Sequence, residues 1–232
     1  MSLTHQPTPG SVEEATGALA GSLARALRGT SDGVGTRSPL ASWDRRAGGL
    51  AAIRVLGADV LAPFLLTGKP LRQEEAWLVR AAVRDHPAPR GHTPEAALWG
   101  VRDTALTAAL ARLGVDASGW EGLAEPRAPG PLADDWVTLA ADLVRLSTAA
   151  HPSLHPELRE RLLDRRLDVA RGLVRAMLRR DLLSAARLTR WLLTLAPDDL
   201  TSATLVHLEI AGHHDPRVRF EAAIARLLSD NR

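Results

Sequence analysis

The sequence predicts an all-α protein. Three observations carry that expectation: apolar residues recur at three- and four-residue spacings along almost the whole chain, the apolar content is dominated by Ala, Leu and Val with few aromatics, and helix-start signals repeat between Gly- and Pro-rich breaks. The 232 residues are 45% hydrophobic, enough to build one large core or two small ones. About eight or nine helices are expected, as an antiparallel bundle or a short array of helical hairpins.

The first helix is expected to open at Ser11-Val12-Glu13-Glu14, which has the form of a capping box, and to carry Ala15, Leu19, Leu23 and Leu27 on one stripe before Gly29. Residues 29–39 are rich in Gly, Ser and Thr and read as a linker, so residues 1–39 form a first unit. A long helix follows from about Leu40 to Phe64 through Trp43, Ala47, Leu50, Val55 and Leu61, with Gly57 as its weak point. The next runs from Leu71 to about Asp85, with Glu74 and Glu75 suited to the N-terminal dipole and Trp77, Leu78 and Ala81 on its apolar side. His86-Pro87-Ala88-Pro89 ends it.

Thr93-Pro94-Glu95 is a helix start, and Leu98, Ala105, Leu106, Ala109, Leu110 and Leu113 continue it to Gly114, closing a unit of residues 40–114. Residues 115–131 contain Gly122, Pro126, Pro129 and Gly130 and are the expected hinge. In residues 132–232, Asp134 leads Trp136 to Leu146, His155-Pro156 leads Leu158 to Met177, and Asp181 leads Leu182 to Leu195. A last pair, Leu200 to Ala211 and Asp215-Pro216 onward, is joined by a link short enough to force an antiparallel hairpin.

In this tail Leu195-Ala196-Pro197-Asp198-Asp199, Gly212 and Ala222-Ala223-Ile224 with Leu227-Leu228 resemble a tetratricopeptide repeat. Asp215-Pro216-Arg217-Val218-Arg219 with Ala222-Ala223 resembles the second helix of a HEAT repeat. The resemblance covers residues 195–228 and implies packed helical hairpins of the kind that hold a protein or peptide partner. No second copy recurs at a fixed period.

Cysteine is absent, which removes disulfides, thiolate metal sites and thiol nucleophiles. There is no leader-like N-terminus and no run of about 18 apolar residues, so a cytoplasmic protein without membrane attachment is expected. The pI near 10.2 accompanies a formal charge of only +2, because Lys69 is the single lysine and arginine hardly deprotonates. Such a GC-rich, actinobacterial-like composition accounts for the pI without a phosphate-binding surface.

His207, Glu209, His213, His214 and Asp215 lie close in sequence, and imidazoles with a carboxylate can move protons or bind a metal. On a helix, however, His207 and Glu209 point about 200° apart, and the remainder falls at a junction where Asp215 serves as a cap. His151 and His155 precede prolines, which takes both out of helical conformation and makes His155 a cap. No metal or cofactor is expected. Residues 157–191 hold ten arginines against five acids, and Arg161, Arg165, Arg175 and Arg179 can form a stripe for phosphate or an acidic partner, although the acids sit at intrahelical pairing offsets. Trp120, in Ser118-Gly119-Trp120-Glu121-Gly122, either docks into a groove or anchors a partner. Phosphate loops, dinucleotide fingerprints and nucleophile elbows are absent.

The leading expectation is a non-catalytic helical adaptor for a protein or peptide, self-association included. A small helical enzyme of specialised metabolism with a cavity lined by His207, His213, His214 and Asp215 is the alternative, and nucleic-acid binding through residues 157–191 is the third.

Overall fold

The fold was taken from a computed structural model, which describes residues 9–29, 38–41, 43–125 and 132–230. Eleven α-helical segments are present among the described residues: α1 (Pro9–Arg28), α2 (Gly49–Leu56), α3 (Ala62–Thr67), α4 (Gln73–Asp85), α5 (Pro94–Arg112), α6 (Trp136–Arg145), α7 (Pro156–Leu163), α8 (Arg166–Leu178), α9 (Leu182–Leu195), α10 (Asp199–Ala211) and α11 (Pro216–Asp230). Because α2 and α3 are two ends of one rod, they make ten helices, and no strand occurs among the described residues. Residues 30–37 of the expected linker and 126–131 of the expected hinge lie outside the described residues.

Local signals placed most helix starts. Thr93 accepts from the Ala96 amide (3.1 Å), Asp181 from Ser184 (3.1 Å), and Asp198 forms a reciprocal capping box with Thr201. Several expectations need correction. α1 begins at Pro9, so Ser11 lies inside the helix rather than capping it. Asp135, not Asp134, caps α6, accepting from Val137 (3.0 Å) and Thr138 (2.8 Å). His155 occupies the N-cap position of α7 but makes no side-chain capping bond. Trp43 starts a short 3-10 turn ahead of α2, and the helix expected to run unbroken from 157 to 177 stops at Leu163 and restarts at Arg166. Gly57 does interrupt the long rod: its φ of 57° is a left-handed value, and a 3-10 turn over Gly57–Leu61 follows.

The rod Gly49–Thr67 has a mean hydropathy of 1.8 and the length to cross a membrane, contrary to the expectation that no such run exists. Its apolarity serves the interior, since 78% of that stretch is buried. Only Arg54 and Asp59 interrupt it with charge.

α9 is the central helix. Every residue from Leu188 to Leu195 is buried, and α6, α7, α8, α10 and α11 all pack on it. Its first turns keep a partly exposed side at Leu182, Leu183, Ser184 and Arg187, so its periodicity resembles that of a surface helix. α1 lies along α11 and α2, so the first helix packs on the last, and one apolar core runs from Ala15 to Leu228. Leu193, Leu205, Ala222 and Ala225 form a second small cluster that seals α10 and α11 onto α9. Residues 115–125 are stitched down: Ala88 donates to Gly122 O (2.9 Å) and the Ala124 amide to Asp103 Oδ2 (2.8 Å).

α6 and α8 cross where Gly172 faces Ala140; a Cβ on Gly172 would stand 2.6 Å from Ala140 Cβ. Gly172→Val is therefore expected to lower unfolding free energy by about 1–3 kcal/mol in urea titration, with partial recovery in the Ala140→Gly background. Unchanged stability would contradict this close crossing.

Candidate functional site

Two charges inside the apolar rod organise the polar interior. Arg54 is 3% exposed and grips Asp103 of α5 with both nitrogens (2.5 and 2.8 Å) while its Nε donates to His86 O (2.9 Å). One 3-10 turn later Asp59 receives two bonds from Arg190 of α9 (2.8 and 2.9 Å), and Arg190 also reaches Glu221 of α11 (2.5 Å). Arg187 completes the group by donating to Glu221 (3.0 Å).

Burial is the largest influence on both carboxyls. It raises Asp59 above the ordinary carboxylate range despite Arg190, with the neighbouring Glu221 charge pushing the same way. For Glu221 burial pushes upward too, but Arg190 and Arg187 together outweigh it and hold the group below its ordinary value. Burial alone would lower Arg190; Asp59 and Glu221 reverse that and fix it in the charged form. Beside this group Arg102 is lowered to about 10 by burial and by Arg54, and both guanidinium groups lie over the Trp99 ring, 4.7 and 4.3 Å from its centroid. Arg102 donates to the carbonyl of Val55. These groups face each other, so their chemistry is internal neutralisation.

The expected histidine cluster is divided by the fold. His207 lies exposed on α10. His213 donates from Nδ1 to Ile210 O (2.7 Å) and lines a cavity between α1, α10 and α11. His214, although its ring is 3.5 Å from that of His213, lines a different, open depression with Asp215, Glu13 and Arg217. Asp215 accepts from the Arg217 amide (2.8 Å) as α11 begins. Among the described residues no group of three His, Cys, Asp or Glu is arranged to hold a metal ion.

The arginines of residues 157–191 are likewise dispersed. Arg165 bonds Asp168 (2.7 Å) and the carbonyls of Ala133 (3.1 Å) and Asp134 (2.8 Å), Arg159 bonds Thr194 O (2.7 Å), and Arg166 pairs with Asp198. Arg161 projects from α7, exposed, while Arg175 lies 5.6 Å from the Trp136 ring. Arg179 and Arg180 are exposed at the end of α8, and Arg180 has φ 57°, the only left-handed non-glycine among the described residues. The Asp181 amide bonds Ala176 O and that of Arg180 bonds Met177 O, so Arg180 holds the helix-ending position that glycine usually takes.

A feature not foreseen from sequence lies beside these arginines. Leu167, Val174 and Leu178 are 63%, 43% and 81% exposed. Spaced by seven and four residues, they fall within about 40° of arc on α8. Arg171, Arg175 and Arg179 step away along one flank of the stripe, and the half-buried Ala170 and Met177 form the other. Trp120, by contrast, packs against the core edge with the Arg80 guanidinium 5.9 Å from its ring centroid. Trp77, read as apolar core from its helical register, is 54% exposed, and Val55 is 45% exposed.

His151 sits close enough to Arg190 and Arg112 to feel both charges; burial first, then those two cations, lowers it to about 4. Its folded value lies below the ordinary 6.5 of the unfolded chain, so the native state excludes a proton that the unfolded state binds. The stabilisation is complete above pH 6.5 and is lost as pH falls from 6.5 toward 4. In urea unfolding near pH 5, His151→Gln is expected to reduce proton uptake on unfolding by about one, flattening the acid side of the stability profile. An unchanged pH slope would contradict this assignment. No family model, curated protein or solved structure matches the chain.

Proposed function

We propose that the protein is a non-catalytic helical adaptor whose α8 face receives an acidic amphipathic helix from a protein partner. The observation that carries this reading is the stripe of Leu167, Val174 and Leu178, which holds the two most exposed leucines among the described residues. A straight apolar line on a helix matches the apolar line of a second helix laid along it. The sign of the partner follows from the flank. Arg171, Arg175 and Arg179 border the stripe, Arg180 stands at its end, and Asp168 on that flank already serves Arg165 and Arg171. A second copy applied through the same face would bring arginines rather than the missing acids, so the partner is read as acidic. The strained Arg180 fits the same reading, because it keeps a cation where glycine would be easier to accommodate.

A labelled amphipathic peptide with leucines on one face and glutamates beside them tests the reading by fluorescence anisotropy against the full chain. It should bind, weaken as salt rises, and lose about tenfold or more in affinity with Leu178→Glu, while that exposed substitution leaves stability within about 0.5 kcal/mol. Equal binding by a lysine-flanked version of the peptide, or an unaffected Leu178→Glu variant, would contradict it.

A further inference from the structure

We propose that the seam between α1 and α11 binds a small organic anion carrying a short aliphatic tail. A cavity of about 430 Å³ opens between the end of α1, the end of α10 and the middle of α11. Leu27, Ala222, Ala223 and Leu227 give it an apolar wall, while Arg28, Arg219 and Arg226 bring three guanidinium groups to it. Its single lining carboxylate, Glu209, is already held by both forks of Arg226 (3.0 and 2.7 Å). Among the described residues no acid pairs with the two remaining cations of the lining, Arg28 and Arg219.

Arg219 is the decisive group. Its Nε is shut off from solvent with no hydrogen-bond partner among the described residues, as are those of Arg102 and Arg190; unlike those two, its Nη groups make no bond there either, which leaves them for a ligand. A buried polar donor without a partner is costly, and more so on a charged group. The neighbourhood increases that cost. Above Gly21, the point where a Cβ would sit lies 3.8 Å from Arg219 Nη2 and 3.9 Å from Arg25 Nη1, so the Arg25 guanidinium approaches the same spot from α1. Gly21 itself leaves room for this convergence, since any side chain there would press on Pro216 at 3.3 Å.

Like charges gathered beside an apolar wall define the missing ligand by subtraction. An anionic head, carboxylate or phosphate monoester, would take the forked donors of Arg219 with Arg25 or Arg28, as guanidinium groups favour both planar and phosphoryl oxygens. The apolar wall selects a head attached to an aliphatic tail over a bare inorganic ion. This site is built from α1, α10 and α11 and uses none of the residues of α8, so it stands or falls independently of the adaptor reading.

Isothermal titration of the full chain with octanoate, octyl phosphate, octanol and inorganic phosphate decides the matter. Saturable one-to-one binding is expected for octanoate or octyl phosphate, and the tighter of the two identifies the head group. Octanol and inorganic phosphate should each bind about tenfold or more weakly. Arg219→Gln should weaken the favoured ligand about tenfold or more, and so should Arg25→Gln, whose exposed position makes it the safer variant for folding. Octanol binding as well as the charged amphiphiles would reduce the seam to an apolar cleft, and inorganic phosphate binding equally would reduce it to a cationic patch; either result overturns the proposal. Unchanged affinity in both arginine variants overturns it as well.

Discussion

Arg190 sits at the meeting point of three segments that are remote in sequence, and its bonds to Asp59 and Glu221 decide how they can be arranged. The rod Gly49–Thr67 is apolar enough to be placed in the middle of the protein, yet it carries Arg54 and Asp59. Buried ions tolerate few surroundings: each needs an opposite charge in good geometry, and an unpaired one costs several kcal/mol. Asp103 on α5 answers the first, and Arg190 on α9 the second, with Glu221 recruiting α11 to the same guanidinium. Hydrophobic burial supplies the drive to collapse, but many slides of one leucine-rich helix past another bury similar area. The observed register pairs all these charges, and sliding a helix by a turn would part them, so the ionic centre favours this packing over others that the apolar core alone leaves close in energy.

Arginine also joins helices through backbone carbonyls, in the interior and toward the surface. Side chains of Arg54, Arg102, Arg159, Arg165 and Arg166 all donate to backbone carbonyls, those of His86, Val55, Thr194, Ala133 with Asp134, and Ala196 respectively. Several of these carbonyls lie at helix ends or in connections, where the backbone has no helical partner of its own. A planar fork of donors on a long stem suits this use, and lysine does not replace it. Two groups of the remaining arginines stand beside apolar surface: Arg171, Arg175 and Arg179 along the apolar line of α8, and Arg28 and Arg219 at the α1–α11 seam.

The helical class and most helix starts were readable because capping is local. Thr93, Asp181, Asp198 and the prolines that follow Thr93 and Asp215 carry their signals within four residues, and Gly57 marks the break it makes. The end of α7 at Leu163 was not readable, since neither glycine nor proline stands there; Arg165 turns away to the carbonyls before α6, a tertiary bond with no sequence mark. Direction was the harder quantity. Trp77 and Leu78 are adjacent apolar residues, and only the position of neighbouring helices decides that Leu78 is buried while Trp77 faces out. For the same reason the stripe of Leu167, Val174 and Leu178 was indistinguishable from core periodicity, and the partnership of Asp59 with Arg190, 131 residues apart, has no local trace. The histidines of residues 207–214 illustrate the converse: closeness in sequence put them on different sides of a helix junction.

The ionic centre is tested most directly by a double-mutant cycle on Asp59 and Arg190, using Asp59→Leu, Arg190→Met and the pair, with unfolding free energies from urea titration. Arg190→Met strands Asp59 and is expected to cost about 3–5 kcal/mol, whereas Asp59→Leu leaves Arg190 its bond to Glu221 and is expected to cost less. The double variant strands less, so its loss should fall short of the sum by about 2 kcal/mol or more. Additive losses, with coupling below about 0.5 kcal/mol, would mean that Arg190 does not hold the rod to α9, and the fold would have to owe its register to something else.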